Sequence, residues 1–455
     1  MPMEKNLTTG GVFRTLVGFC LPFLLAYFLQ TLYGMADLYI IGQYCGVEST
    51  TAVSIGSQVM HMLTVMIVGL AMGSTVRIGQ AVGGRRFEEA SEAVGNTVTL
   101  FLGVSLGITA LLLALVRPIT AVMSNPEEAV EGTIRYLTVC FLGIPFITAY
   151  NIISSVFRGM GDSKSPMYFV AVACVTNIAL DYLFIGGLKL GPMGAALGTT
   201  LSQTVSVLVA IAVIRRRGTG ISLGKADFLP KRKVMGALLR VGVPVALQDG
   251  FIQIAFIVIT VIANQRGLND AAAVGIVEKI IGFLFLIPSS MLSSVSALCA
   301  QNIGAQRHDR AKKTLGYGVA MCVGFGLCWA GVMLLAAEPF VGLFARDPEV
   351  IRMGGQYMRG YVWDCVFAGI HFCFSGYFCA YGLSGFSFLH NSVSIVCARI
   401  PLAYLASKAF PDTLFPMGLA TTTGSVVSVA ICVAVFAWMQ RRMKREGTFR
   451  TAGES

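Results

Sequence analysis

The sequence predicts an all-α membrane protein with twelve transmembrane helices in two six-helix lobes related by a parallel repeat. Three observations carry that prediction. Of 455 residues, 55% are hydrophobic and 13% charged, and the mean hydropathy is +0.73, more apolar than water-soluble domains tolerate. The apolar residues gather in twelve stretches, each about 20 residues or more, the length a helix needs to cross a hydrocarbon core of roughly 30 Å. The second half of the chain then repeats landmarks of the first at a near-constant spacing.

In order, the stretches are 14–41, 52–76, 93–116, 133–157, 166–187, 193–214, 236–264, 273–300, 314–336, 355–380, 386–408 and 417–439. The first exceeds a signal peptide's apolar core and lacks a small-residue cleavage site, so it is expected to be retained. Counting those at the ends of stretches with the adjoining loop, 24 of the 34 Lys and Arg fall on one side of the alternating loops, 8 on the other, and Lys279 and Arg399 lie deep inside stretches. The positive-inside rule then places both termini in the cytoplasm of a multi-pass plasma-membrane protein. The expected division is an N-terminal lobe 1–214, a basic cytoplasmic linker 215–235, a C-terminal lobe 236–439 and a basic cytoplasmic tail 440–455.

The linker residues Arg215, Arg216, Arg217, Lys225, Lys231, Arg232 and Lys233 read as topology signals and contacts for anionic lipid. Without aromatic interleaving or a folded basic module, the net charge of +11 does not point to nucleic acid. Of the twelve cysteines, eleven lie within or beside the stretches and none forms a CxxC pair, so they are expected to pack rather than to bind metal.

Sliding the sequence by 221 or 222 positions sets Pro22 on Pro244, Ala52 and Val53 on Ala273 and Val274, and Gln80 and Gly83 on Gln301 and Gly304. The match continues through Pro118 with Pro339, Pro126 with Pro348, Tyr136 with Tyr357 and Gly161 with Gly382. A duplicated six-helix unit enters and leaves by one face, and rocking of one lobe against the other would give alternating access.

An ionisable group at the bilayer centre costs about 2.5–3.5 kcal/mol even on lenient scales, so those that persist need a reason. The stretches keep Asp37, Asp181, Asp249, Glu278, Lys279, Asp364 and Arg399. At the repeat spacing Asp37 falls on Ile259 and Asp181 on Leu402, which makes the lobes chemically unequal. Both aspartates lie toward the outer ends of their helices, Asp181 about 9 Å in, so they could share one chamber. Asn177 and Asp181 occupy one helical face, and Thr199 and Gln203 repeat the i,i+4 spacing on the next helix.

That oxygen set suits a proton on a desolvated carboxylate, or sodium held by Asp37, Asn177, Asp181 and Thr199; the sequence leaves both open. Pro22, fifteen residues before Asp37, loosens its helix by lacking an N–H and is the candidate conformational element. Tyr33, Gln203, Asp249, Gln253 and Met291 are candidates for lining a substrate chamber. No P-loop, HExxH or GxSxG occurs, and His61, His308, His371 and His390 are scattered, so an enzyme is not expected.

The Pro22-to-Asp37 spacing and the run Asn177–Asp181 are joined by two further motifs. One is the loop-like Gly79-Gln80-Ala81-Val82-Gly83-Gly84 with its echo Ala300-Gln301-Asn302-Ile303-Gly304-Ala305; the other is Arg158-Gly159-Met160-Gly161-Asp162. In this order they resemble the multidrug and toxic compound extrusion (MATE) transporters, the DinF-like branch more than the NorM type. The resemblance implies that Asp37 is a protonation residue and that Asn177, Asp181 and Thr199 complete a cation site, with Tyr136 and Asn151 as further polar positions. It implies a monomeric antiporter that exports small organic, often cationic or lipophilic, compounds in exchange for a proton or sodium, with no other cofactor. NorM-type members place an acid in the seventh helix; here Asp249 stands one turn early and Ile252 near the matching place. The alternative is a lipid or lipid-linked-sugar flippase, which would need a strongly cationic chamber, whereas only Arg399 and Lys279 read as embedded.

Overall fold

Every regular element among residues 6–123, 127–218 and 221–445, which the computed structural model describes, is helical. The first half contains α1 (Val12–Tyr44), α2 (Val47–Gly83), α3 (Phe87–Val122), α4 (Glu127–Leu142), α5 (Ile144–Gly159), α6 (Lys164–Asp181) and α7 (Pro192–Arg217). The second begins with α8 (Arg232–Asn264), α9 (Leu268–Leu284), α10 (Leu286–Gly304), α11 (His308–Gly342) and α12 (Pro348–Tyr361). It ends with α13 (Asp364–Ala380), α14 (Ser384–Ser394), α15 (Ile400–Ala409) and α16 (Phe415–Arg445).

Pairs of these helices share a span. α4 and α5 meet at a 49° bend and α12 and α13 at 40°, while α9 and α10 run on as one span, as do α14 and α15. With each bent pair taken as one span, the spans among the described residues number twelve, as the hydropathy predicts. The first bend falls at Gly143, where a Cβ would collide with Thr200, and the proline that follows offers no N–H to the preceding turn.

Most helices outrun their hydropathy stretches. At 1.5 Å per residue the 37 residues of α2 reach about 55 Å, so the apolar window marks only the part inside the hydrocarbon. One expectation is corrected as a result. Residues 79–83 and 300–304 are the last turns of α2 and α10, not loops, because Ala81, Val82 and Ala300 there pack inward and hold the helix to its end. Only Gly84 and Ala305 lie beyond, as caps.

The duplication is written into the backbone. Arg85 and Gln306 take left-handed φ values of 56° and 59°, and Gly161 and Gly382 take 86° and 73°. Each closes a Schellman end in which the next N–H reaches back five residues: Arg86 to Ala81, Arg307 to Asn302, Asp162 to Phe157, Leu383 to Phe378. Helix partners repeat too: α2 packs on α5 as α10 packs on α13, α3 on α5 as α11 on α13, and α4 on α7 as α12 on α16. Pro126 of the Pro126–Pro348 pair and the tail beyond Arg445 lie outside the described residues.

The chain divides after Ala246 into two compact units, with Thr8–Leu16 grouped with the second. In the first, Tyr136, Phe141, Ile144 and Ile185 belong to one buried cluster and Phe101, Tyr150, Phe157 and Phe169 to another. The second contains a large cluster around Tyr357, Tyr361, Met333 and Val277. Outward faces stay apolar, as Leu102, Leu106, Leu111 and Leu115 of α3 show, which suits lipid rather than water.

The segment after α7 is strapped along α3. Ser91 donates to the Ser222 carbonyl at 3.0 Å, Asn96 Nδ2 to that of Asp227 at 3.1 Å, and the Lys231 amide to Asn96 Oδ1 at 2.7 Å. Gly95 makes this approach possible, since a Cβ there would strike the Asp227 carbonyl.

Candidate functional site

Three helices of the first half bring four polar side chains together. α1 supplies Asp37, α6 supplies Asn177 and Asp181, and α7 supplies Thr199. Asp37 is 4% exposed, and Asn177 and Asp181 are 0% exposed. Thr199 Oγ1 donates to Asp37 Oδ2 at 3.3 Å, and the side chains of Asn177 and Asp181 face the same carboxyl group. Yet Asp37 Oδ1, both Asp181 oxygens and both polar atoms of the Asn177 amide lack a hydrogen-bond partner. A buried polar atom left unpaired costs about 1–3 kcal/mol. Several in one place, two on carboxylates, favour a positive guest that satisfies them together.

Local backbone features set this geometry. α6 changes to a π-helical turn over Tyr182–Gly187, directly after Asp181, a widening often found at functional sites. Opposite, Gly198 leaves the space that the Asp181 carboxylate uses: a Cβ there would collide with Asp181 Oδ1 and lie 3.6 Å from Asn177 Nδ2. Sequence reasoning passed over Gly198; its signal was a glycine beside Thr199, one turn ahead of Ser202 and Gln203.

Tyr136 is buried, its hydroxyl 3.3 Å from Ser57 Oγ, its ring against Gly56, and it stands within electrostatic reach of Asp37. Tyr33 also faces Asp37 and lies within hydrogen-bond reach of Gln203. Asn151 is buried on α5, where its amide donates to the Ile147 carbonyl one turn back at 2.8 Å. Pro22 is buried inside α1, and its neighbour Phe23 lies under the Arg158 guanidinium at 5.9 Å.

Arg158 corrects the view that Arg399 and Lys279 are the embedded basic residues. It ends α5, is 5% exposed, and has Nε and Nη2 without partners. Its position between apolar residues and Gly159 made it look like a loop residue, but the helix runs on through it. Lys279 is exposed on the outer face of α9.

In the second half Asp249 and Gln253 lie half-buried one turn apart on α8, and Asp249 is within electrostatic reach of Cys379. Met291 is fully buried, its sulfur packed where α10 meets Gly318 of α11. Two of the scattered histidines meet: the rings of His371 and His390 are 5.4 Å apart, and His390 bonds Ser375 at 2.9 Å and Ser428 at 3.2 Å. Buried Asp364 and Arg399 form a separate set with half-buried Glu278.

The MatE family model matches this chain twice, over residues 22–183 and 244–405. Among curated proteins, the probable multidrug resistance protein YoeA of Bacillus subtilis (strain 168) is 26% identical over 454 residues, covering 97% of this chain and 98% of the relative. YpnP of the same strain, also named a probable multidrug resistance protein, is 27% identical over 440 residues, covering 96% and 97%. A crystal structure of MATE in complex with MaL6 superposes with a TM-score of 0.89 at 23% identity, covering 97% of this chain and 99% of that one. A MOP superfamily transporter from Pyrococcus furiosus, whose binding pocket is described as having reverse polarity and suggesting a different function, matches with the same score, identity and coverage.

Proposed function

This chain belongs to the MatE family, and from that membership we propose that it is a cation-coupled exporter of small organic compounds, often cationic or lipophilic, working by alternating access. The observation that carries the proposal is the pair of membrane-buried carboxylates, Asp37 and Asp181, gathered with Asn177 and Thr199 and lacking hydrogen-bond partners on three of their four oxygens. Among the described residues no Lys or Arg faces them. Such a set takes one positive guest at a time: a proton or sodium ion in one phase of the cycle, the cationic solute in the other.

In the proposed cycle, uptake of the external cation by Asp37 or Asp181 weakens the hold on solute and favours closure of the outward side. The loaded carrier returns inward, discharges the cation and rebinds solute. Each charge moved across 100 mV supplies about 2.3 kcal/mol, and a tenfold proton gradient adds about 1.4. Asn177 and Thr199 orient the carboxylates; Tyr136, Tyr33 and Gln203 fix the wall around them; Asn151 is a polar support one helix away. Pro22 lets α1 change its bend between states. Asp249, Gln253 and Met291 stay candidates for solute contact from the second half.

Two lobes joined by the 215–235 linker, both termini in the cytoplasm, a plasma-membrane location, anionic lipid at the basic loops and a monomeric carrier complete the proposal. The relatives' multidrug-resistance names favour drug export over a lipid or lipid-linked-sugar flippase. Reconstitution tests it: an imposed inward proton or sodium gradient should drive export of a cationic dye from liposomes, and Asp37→Asn should abolish it. Export unchanged in both Asp37→Asn and Asp181→Asn would exclude this site.

A further inference from the structure

The second half carries a buried polar set where the first half carries that of Asp37. At the spacing of 222 that separates both the starts and the ends of the two matched segments, Asn177 falls on Arg399 and Asp181 on Ala403, next to the Leu402 that the spacing of 221 gives. At 221, Ser57 falls on Glu278 and Tyr136 on Tyr357. The hydrogen-bonded Ser57–Tyr136 pair of one half is thus answered in the other by Glu278 facing Tyr357. Asp37 falls on Ile259, and the next residue, Thr260, donates to Glu278 Oε2 at 3.1 Å.

Arg399 occupies the centre of this second set and is 8% exposed. Its Nη2 lies 3.7 Å from Asp364 Oδ2 and donates to Tyr361 Oη at 2.5 Å. The guanidinium carbon sits 5.2 Å from the Phe256 ring centroid and 5.7 Å from that of Tyr361, a geometry in which aromatic faces stabilise a cation. A π-helical stretch, Ile395–Arg399, ends on it, and Gly424 gives its stem room, since a Cβ there would stand 2.9 Å from Arg399 Cβ.

Each of these two sets therefore holds two carboxylates, buried Asp37 with Asp181 and half-buried Glu278 with buried Asp364. The difference between the sets is one charge. Among the described residues no basic group faces the first pair, whereas a guanidinium, charged at any working pH, faces the second. We infer that Arg399 is a tethered cation that fills the second half's copy of the cation site, so that exchange of a free cation is confined to Asp37 and Asp181. A buried charge left without its partner is strongly destabilising. Removing the guanidinium therefore turns the second half into a site that recruits a free monovalent cation. A purely structural Arg399, pinning α14 and α15 to α13, would create no such site.

The inference goes beyond the export reading and is tested without transport. In purified full-length protein carrying Asp37→Asn and Asp181→Asn, sodium-22 binding and proton uptake are measured on the same sample. With Arg399 intact, no saturable cation binding is expected. Adding Arg399→Gln should bring in about one cation equivalent per chain, as sodium bound or proton taken up, to replace the missing charge. Adding Asp364→Asn should remove it again, and Arg399→Lys, which keeps the charge, should gain none.

A second arm covers loss of stability. In Arg399→Ala, methylguanidinium added at millimolar concentration should restore the thermal unfolding midpoint, entering the small cavity that Arg399 lines with Ser394 and Ser425, while neutral methylurea should not. The inference is overturned if folded Arg399→Gln protein gains no cation, if the Arg399-intact background already binds sodium through Asp364, or if methylurea rescues as well as methylguanidinium.

Discussion

Gly198→Ala perturbs the proposed cation site by a single methyl group. The added carbon would collide with Asp181 Oδ1 and stand 3.3 Å from its carboxyl carbon and 3.6 Å from Asn177 Nδ2. The neighbours are a buried carboxylate and a buried amide on one helix, so relief requires an off-rotamer Asp181 or a shift of α6 away from α7. Overpacking of this kind costs about 1–3 kcal/mol, and exchanging a helical glycine for alanine returns about 1 kcal/mol. Global stability should then move little while the site itself is distorted. If the cost falls on the cation-bound state, apparent cation affinity drops about 5- to 150-fold. The assay is dye export from proteoliposomes as a function of external proton or sodium concentration, with the unfolding midpoint measured in parallel. Gly103→Ala and Gly107→Ala, on an open face of α3 with nothing within 4 Å, should leave the cation dependence unaltered. Gly326→Ala, which would crowd the Val366 backbone at 2.8 Å in the second half, should lower stability without moving the cation midpoint. An unchanged cation dependence in Gly198→Ala, at unchanged stability, would refute the placement of the Asp181 carboxylate against this glycine.

Two further outcomes are expected. Asn96→Ala strips the strap of its bonds to the Asp227 carbonyl and the Lys231 amide, each unpaired group costing about 1–3 kcal/mol if it stays buried; limited proteolysis should then cut within 221–231, and wild-type resistance there would show that the strap is held by other contacts. Pro22→Ala returns an N–H to α1 and should slow turnover in proteoliposomes while leaving dye affinity in equilibrium binding unchanged; normal turnover would remove Pro22 from the conformational cycle.

The span count and the duplication were legible in sequence because both rest on one-dimensional signals, apolar run length and residue spacing. So was the grouping of Asn177 with Asp181, since an i,i+4 spacing puts both on one helical face before any neighbour is known. Helix ends were not legible. Hydropathy stops at the edge of the hydrocarbon, whereas the Gly79–Gly83 turns continue because their residues pack within the protein. The part played by Gly198 needed the distance between two helices, which no single-helix pattern contains. Lys279 and Arg399 looked alike as charges inside apolar runs, and only helix rotation separates an exposed Lys279 from an Arg399 enclosed by Phe256, Tyr361 and Asp364. Arg158 was misread for the converse reason: a basic residue beside Gly159 at the end of an apolar run looks like a loop, although α5 buries it.

Direct competition between the two positive guests is the most immediate test of the Asp37–Asp181 site. A fluorescent cationic dye is bound to purified protein at equilibrium and titrated with protons or sodium. Exchange at shared carboxylates predicts that one of these cations releases the dye, and that the dye weakens cation binding by the same factor. Asp37→Asn/Asp181→Asn protein should show no such competition. Dye release by protons or sodium that is identical in wild-type and doubly substituted protein would contradict the assignment of the two aspartates as the place of exchange.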